Sequence, residues 1–233
     1  MHFRLPKPLH GWREFAGEVG IIVLGVLIAL GAEQMLENIH WRHQLELERG
    51  ALNSEVLSNL DAIQGRMVLE PCIRRKLGEL AQVLNANPGK APRLIGSVGV
   101  PLPIGGAKGA WNIAVSSAAL SHMPLQEQLD YSGAFSNYEN WDAIRRDERV
   151  AWVHLNVLKP GTHLSEADWA GLRQAYAEAV ADDVRIAQVG PFIFRTANVG
   201  QRPEREVTLK NLFSEVRYGE ELCRPMLAPQ GKA

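Results

Sequence analysis

The sequence predicts an all-α protein in which an N-terminal transmembrane helix continues into an irregular helical bundle domain. Three observations predict it: an uncharged apolar run from Val19 to Ala32, apolar residues that recur beyond it at helical spacing, and helix-start and helix-stop residues distributed along the remaining chain. With 233 residues, 46% of them hydrophobic and 22% charged, the chain has the composition of a folded protein rather than a disordered or multi-span one. Setting the membrane segment aside leaves roughly 190 residues, enough for one domain with its own core. Lys and Arg total 25 against 26 Asp and Glu, with no dense basic block, so nucleic acid is not an expected partner.

The first element is the span. Nine large aliphatic residues fill the run VGIIVLGVLIALGA, and counting outward from Gly25 gives about 20 residues between Ala16 and Met35, the length that crosses ~30 Å of hydrocarbon. Glu18 and Glu33 lie near its ends, where charge costs less than at the centre. Trp12 and Trp41 are placed as membrane-interface anchors, about 43 Å apart if helical. Arg4, Lys7 and Arg13 precede the run and Glu33 and Glu37 follow it, so the positive flank predicts a cytoplasmic N-terminus and a periplasmic C-terminal domain, single-pass in the inner membrane. The expected organisation is a cytoplasmic tail 1–14, a transmembrane helix 15–36, a helical extracytoplasmic domain 37–224 and a loose tail 225–233. Two competing readings stand beside it. Ala29, Leu30 and Gly31 before Ala32 fit a cleaved signal peptide, and the 14-residue uncharged run also fits a buried core helix. The long flank with Glu14 and Glu18, and a helical pattern running through Ala32, favour the anchor.

Beyond the membrane, Leu45, Leu52, Val56, Leu60, Ile63 and Met67 extend the helix as an amphipathic one toward Glu70, and Pro71 is expected to kink or end it before Cys72. Residues 86 to 110, with four prolines and six glycines, read as a long ordered loop. Trp111 to Leu120 is a short helix. Pro124 opens another, carrying Leu125, Leu129, Phe135, Tyr138, Trp141, Ile144, Trp152 and Leu155 toward Leu158, before Lys159, Pro160 and Gly161 stop it. Ser165 and Asp168 form a capping-box variant in front of Trp169, Leu172, Tyr176, Val180, Val184 and Ala187, with a bend expected at Gly190 and Pro191. A last helix from about Glu204 carries Leu209, Leu212, Phe213 and Val216.

Several of these segments together carry a resemblance: Arg13-Glu-Phe-x-Gly-Glu-Val-Gly, then Val-Leu-Gly-Val-Leu-Ile-Ala-Leu-Gly-Ala-Glu-Gln, Trp41-Arg42, Glu70-Pro-Cys-Ile-Arg-Arg, Ser121-His-Met-Pro and the Leu164-Ser-Glu-Ala-Asp helix start. Over most of its length the chain resembles a family of uncharacterised proteobacterial single-span membrane proteins. The resemblance implies the same topology and a helical domain beyond the membrane, and it transfers no catalytic residues.

Chemistry-bearing patterns are sparse. Glu37 and His40 make a Glu-x-x-His with His43 one turn on, but the residues three before His122, His154 and His163 are Ala119, Ala151 and Pro160, so the second half of a di-metal site is missing and no cofactor is expected. No nucleophile elbow is present, and an enzyme is the least favoured class. Gly105, Gly106 and Lys108 ahead of the Trp111 helix form the candidate functional loop, where helix-start amides and a lysine could meet an anion, although the P-loop spacing is absent. Adjacent Asp182 and Asp183, and Glu220 and Glu221, read as solvated pairs. The aromatic residues Tyr131, Tyr138, Trp141, Trp152, Trp169 and Tyr176 read as core. Two cysteines in an oxidising compartment predict a disulfide between Cys72 and Cys223. The expected role is a membrane-anchored interaction or scaffolding module, whose partners are the lipid bilayer and a protein or a second copy of the chain. The alternative is an extracytoplasmic ligand-binding sensor acting through partners.

Overall fold

In the computed structural model, residues 11–86, 92–101, 106–196 and 220–229 are described. The fold is all-α, as the periodicity predicts. Its backbone is α1, Trp12–Leu84, a single helix of 73 residues and about 110 Å. Two different surfaces follow one another along it. From Phe15 to Ile39 the large apolar side chains are exposed, whereas from Leu45 onward the residues at helical spacing turn inward: Leu45, Leu52, Val56, Leu60 and Ile63 are buried. Met67, expected to continue that stripe, is exposed, and Arg66 takes the inward position instead.

Pro71 neither ends α1 nor separates it from the Cys72 segment. The carbonyl it leaves without an amide is that of Met67, on the exposed side where water can reach it. Side-chain bonds also bracket the proline, because Glu70 accepts from Arg66 four residues before it (2.8 Å) and from Arg74 four residues after (2.5 Å). Both flanks are held by buried Leu69, Cys72 and Ile73.

The expected Trp111 helix is divided into α2, Gly109–Ser116, and a 3-10 turn, Ala119–His122, because Ser117 is extended. Next comes α3, Leu125–Leu155, with Pro124 at its cap. It runs beside α1 in the same direction: Arg49 meets Glu127, Tyr131 donates to Asn53 (2.8 Å), and Arg66 meets Glu148. Leu125 and Leu129 lie outside its buried stripe, which begins at Tyr131 and continues through Phe135, Tyr138, Trp141, Ile144 and Trp152 to Leu155. Gly161, at φ +82°, makes the turn back. The capping box then starts α4, Glu166–Thr196: the amide of Ser165 donates to Asp168 (2.8 Å) and the amide of Asp168 to Ser165 Oγ (3.2 Å). This helix continues as α-helix across Pro191. The helix expected from Glu204 to Val216 lies outside the described residues.

Two apolar clusters result. One joins Leu52, Val56 and Ile63 of α1 to Phe135, Trp141 and Ile193; the other joins Ile73 and Leu80 to Trp152, Leu155, Leu172 and Leu222. Each such buried side chain contributes ~1.5–3 kcal/mol relative to exposure. The second cluster is closed by the C-terminal segment, which begins with the single turn α5, Glu220–Cys223. Contrary to the expectation of a loose tail from 225, Met226 and Leu227 are buried, Leu227 bridges Leu94, and the Met226 amide donates to Glu79 (3.0 Å). Among the described residues, that bridge is isolated and no strand forms. Lys76, fully buried, donates to the carbonyls of Arg224 (2.6 Å) and Ser97 (3.2 Å), and Arg75 donates to that of Cys223. Gly99, at φ +76°, admits this packing, since a Cβ there would lie 2.8 Å from the amide nitrogen of Leu222.

Cys72 and Cys223 are joined as a disulfide, their α-carbons 4.8 Å apart and 151 residues apart in sequence. On the chain-entropy model, closing so long a loop stabilises by about 5 kcal/mol at most. Reduction of the native protein, or the Cys72→Ser/Cys223→Ser variant, is therefore expected to lower the melting temperature by roughly 10 °C. An unchanged melting curve, or two titratable thiols in the native protein, would count against the bond.

Candidate functional site

The candidate loop before α2 is built into the protein rather than open to an anion. Gly105 lies outside the described residues. The Gly106 amide donates to the Tyr138 hydroxyl, and Asn59 brackets Ala107 by accepting from its amide (2.8 Å) and donating to its carbonyl (2.9 Å). A Cβ on Gly106 would collide with both Asn59 and Tyr138, so the backbone approach requires glycine. The helix-start amides of Ala110 and Trp111 are taken by the Glu55 carboxylate, at 3.2 Å each, and Lys108 pairs with Glu139. The anion that the amides attract is thus the chain's own carboxylate from α1.

The two tryptophans expected as interface anchors, Trp12 and Trp41, differ in their surroundings. Trp12 is exposed, with its ring 6.0 Å from that of Phe15. Trp41 is half-buried: its indole N–H donates to Glu37 (3.3 Å) and its ring stacks on His122 with centroids 4.3 Å apart. Glu37, His40 and His43 lie on the exposed surface of α1, with the His40 ring edge-on to Trp41.

What the sequence reading missed lies at the centre of the domain. Arg66 of α1, 3% exposed, donates to Glu148 of α3 (2.6 Å and 3.3 Å), to Asp183 of α4 (2.7 Å) and to Glu70 one turn along its own helix (2.8 Å). Glu148 has no exposed surface, and Asp182 and Asp183 are both buried, which corrects the expectation that the two aspartates are solvated. Asp182 instead accepts from Arg185 (3.2 Å). The signal was present: Arg66 falls in the apolar stripe between Ile63 and Ile73, and Glu148 between Ile144 and Trp152, one charge of each sign where both helices bury their side chains.

Three carboxylates around one guanidinium carry more negative than positive charge. Burial works against charging Arg66, but Glu148 and its other acceptors outweigh it and hold the guanidinium more firmly protonated than usual. Burial pushes the Glu148 carboxyl up, with Arg66 opposing and Asp183 reinforcing. Asp183 is raised for the same reason, burial first, with Glu70 adding to the shift. For Glu70, burial is outweighed by the bonds from Arg66 and Arg74, and its carboxyl lies below the usual range. The cluster is a three-helix tie that takes up a proton readily.

No family model, curated protein or solved structure matches this chain.

Removing one partner of a buried ion cluster leaves the others uncompensated, so Arg66→Ala is expected to destabilise the domain by about 3–5 kcal/mol, read by denaturant unfolding. The pH dependence has a defined sign. A carboxyl raised in the folded state favours folding fully below its unfolded value, near ~4, and loses that contribution as pH rises through the raised value. Glu148 and Asp183 therefore make the protein more stable as pH falls toward the ordinary carboxylate range, near ~4, whereas Glu70, being lowered, withdraws stability only as pH falls below that range. Glu148→Gln should flatten the rise on acidification toward ~4 in a melting-temperature series, and a wild-type curve without that rise would contradict the assignment.

Proposed function

We propose that the chain is a membrane-anchored interaction or scaffolding module, held by one span in the inner membrane with its helical domain in the periplasm. The observation that carries this reading is the continuity of α1. One helix begins with a length and composition that suffice to cross a membrane, carries no buried residue in its most apolar window, and then supplies the central element of the folded domain. A soluble protein's core helix would bury that window, so the exposure of Ile21, Leu24, Leu27 and Ile28 favours lipid over a protein interior. Cationic Arg4, Lys7 and Arg13 before the window support a cytoplasmic N-terminus, and the Cys72–Cys223 bond suits an oxidising compartment beyond it. The resemblance to uncharacterised proteobacterial single-span proteins supports the same topology.

An interaction role rather than ligand sensing follows from what the domain does with its aromatic residues. Tyr131, Tyr138, Trp141 and Trp152 fill the core, while Ile113, Val115, Leu125 and Leu129 are exposed. The recess lined by Val83, Arg93, Leu94, Lys159, Leu164 and Trp169 is open and lies at the far end of α1 from the apolar run.

A reporter active only in the periplasm, fused after Ala233, is expected to be active, and the intact mass of membrane-extracted protein is expected to retain residues 1–31. Activity of a cytoplasm-only reporter at that position would overturn the orientation, and a mature chain beginning at Ala32 would replace the anchor with a signal peptide. For the scaffold role, crosslinking in native membranes is expected to trap a defined protein or a second copy against the domain. Recovery of the uncrosslinked chain alone, across crosslinker lengths, would argue against it.

A further inference from the structure

At the far end of α1 an open recess of about 410 Å³ lies where four segments meet: the end of α1, the extended stretch 92–94, the turn 158–162 and the start of α4. Its apolar wall is fixed by the core beneath it. Val83 and Leu158 are buried, and Leu94, Leu164 and Trp169 pack against the second cluster. The extended stretch is held by the C-terminal segment, because the Ala228 amide donates to the Arg93 carbonyl (3.0 Å) and Leu94 bridges Leu227. The turn is held by the Thr162 amide, which donates to the Lys159 carbonyl (3.2 Å), with Gly161 at φ +82°. A surface already built before its occupant arrives loses little conformational freedom on binding.

The charged part of the lining is cationic. Arg93 and Lys159 are exposed, no lining residue is acidic, and neither cation has an ion pair among the described residues. Asp168, next to Trp169 in sequence, is taken by the amide and hydroxyl of Ser165. Elsewhere in the domain Arg49, Arg66 and Lys108 each meet a carboxylate of the chain itself. Two uncompensated cations beside Trp169 and aliphatic surface call for a carboxylate carried next to an apolar side chain. A site for a free small ligand encloses most of that ligand, whereas this recess stays open and suits side chains presented by a larger partner. The end of α1 lies about 70 Å of helix beyond Leu36, the expected end of the span, so the bilayer does not reach it.

We propose that this recess docks an acidic peptide segment of a partner protein, with a carboxylate facing Arg93 and Lys159 and a bulky apolar side chain lying against Trp169 and Leu164. Charge complementarity selects the acidic residue, and the apolar wall selects its neighbour. This rests on the interaction role proposed above, to which it adds the chemistry of the partner and the place where it binds.

Fluorescence anisotropy of a labelled peptide, Gly-Glu-Phe-Glu-Gly blocked at both ends, tests it on the full chain, disulfide intact, in phosphatidylcholine nanodiscs. Its affinity is expected to exceed that of Gly-Lys-Phe-Lys-Gly by roughly tenfold. The Arg93→Glu/Lys159→Glu variant is expected to weaken it by a similar factor with the melting temperature unchanged, since both side chains are exposed. A trifluoromethyl label on Thr162→Cys should shift in the fluorine spectrum when the acidic peptide is added, whereas one on Ile113→Cys at the other end of the domain should not. Equal affinity for the two peptides, or no effect of the double variant, overturns the site. Phenylacetate binding as tightly as the acidic peptide overturns the peptide in favour of a small carboxylate. In native membranes a photoreactive residue at Thr162 is expected to trap a defined protein, and the product should be lost in the double variant. Trapping from Ile113 but not from Thr162 overturns the recess and leaves the scaffold role standing. No product from either position, together with no peptide binding, overturns both.

Discussion

Arg66 sits where three helices meet, between two apolar clusters, and its guanidinium bonds to carboxylates on all three. A charge at so buried a position costs several kcal/mol unless it is paired, and the Glu148 and Asp183 carboxylates face the same penalty. Apolar surfaces alone would let α3 and α4 slide along α1 with little loss, since leucine and isoleucine pack in many registers. A slip of one turn, about 5.4 Å, would leave Glu148 and Asp183 without their cation and Arg66 with only Glu70 of its own helix. The cluster is therefore best understood as fixing register rather than adding net stability. Arg49 with Glu127 and Asn53 with Tyr131 repeat the same sequence offset of 78 residues closer to the N-terminal end, and Arg66 with Glu148 holds it at 82, within about one turn.

That fixed register explains how a 73-residue helix keeps a proline inside it. Pro71 follows directly on Glu70, and Glu70 is bonded both to Arg66 before the proline and to Arg74 after it. The turn that lacks an amide donor is thus spanned by side-chain bonds and backed by α4 through Asp183. Immediately beyond, Cys72 is tied to Cys223, and buried Lys76 holds two carbonyls from other segments. A helix that would kink in isolation is held helical by partners on both sides of its weak point.

Elements with a strong local signal were legible in the sequence: the apolar run, the Ser165–Asp168 box, the aromatic stripe of α3, and the cysteine pair. Local chemistry dictates the first three, and the count of two cysteines in an oxidising compartment the fourth, so a single chain reveals them. The continuity through Pro71 was not legible, because besides Arg66 and Arg74 on α1 itself it is backed by Asp183, 117 residues from Arg66. Asp182 and Asp183 read as surface residues because neighbouring acids on a helix usually diverge, yet both are buried, Asp183 against Arg66 of α1 and Asp182 with a bond from Arg185 of its own helix. Met226 and Leu227 looked like part of a loose end after Pro225, and their burial depends on Glu79 and Leu94, far away in the sequence. In the candidate loop the glycines were correctly singled out, but the reason for Gly106 is the approach of Asn59 and Tyr138 rather than an external anion.

The internal use of polar groups bears on what kind of surface the domain offers. Glu55 takes the amides that open α2, Glu139 takes Lys108, and Glu127 takes Arg49, so the polar groups where α2 and α3 meet α1 are committed within the chain, while Glu37, His40 and His43 below them stay exposed. Side chains that project there are branched aliphatics, Ile113, Val115, Leu125 and Leu129, whose contacts are non-directional and gain free energy by losing water. At the opposite end Arg93 and Lys159 border an open recess beside Trp169, an arrangement that favours acidic or aromatic groups instead. One unbroken helix, α1, lies between these two surfaces, so their separation along it is fixed by helix length rather than left to a flexible joint.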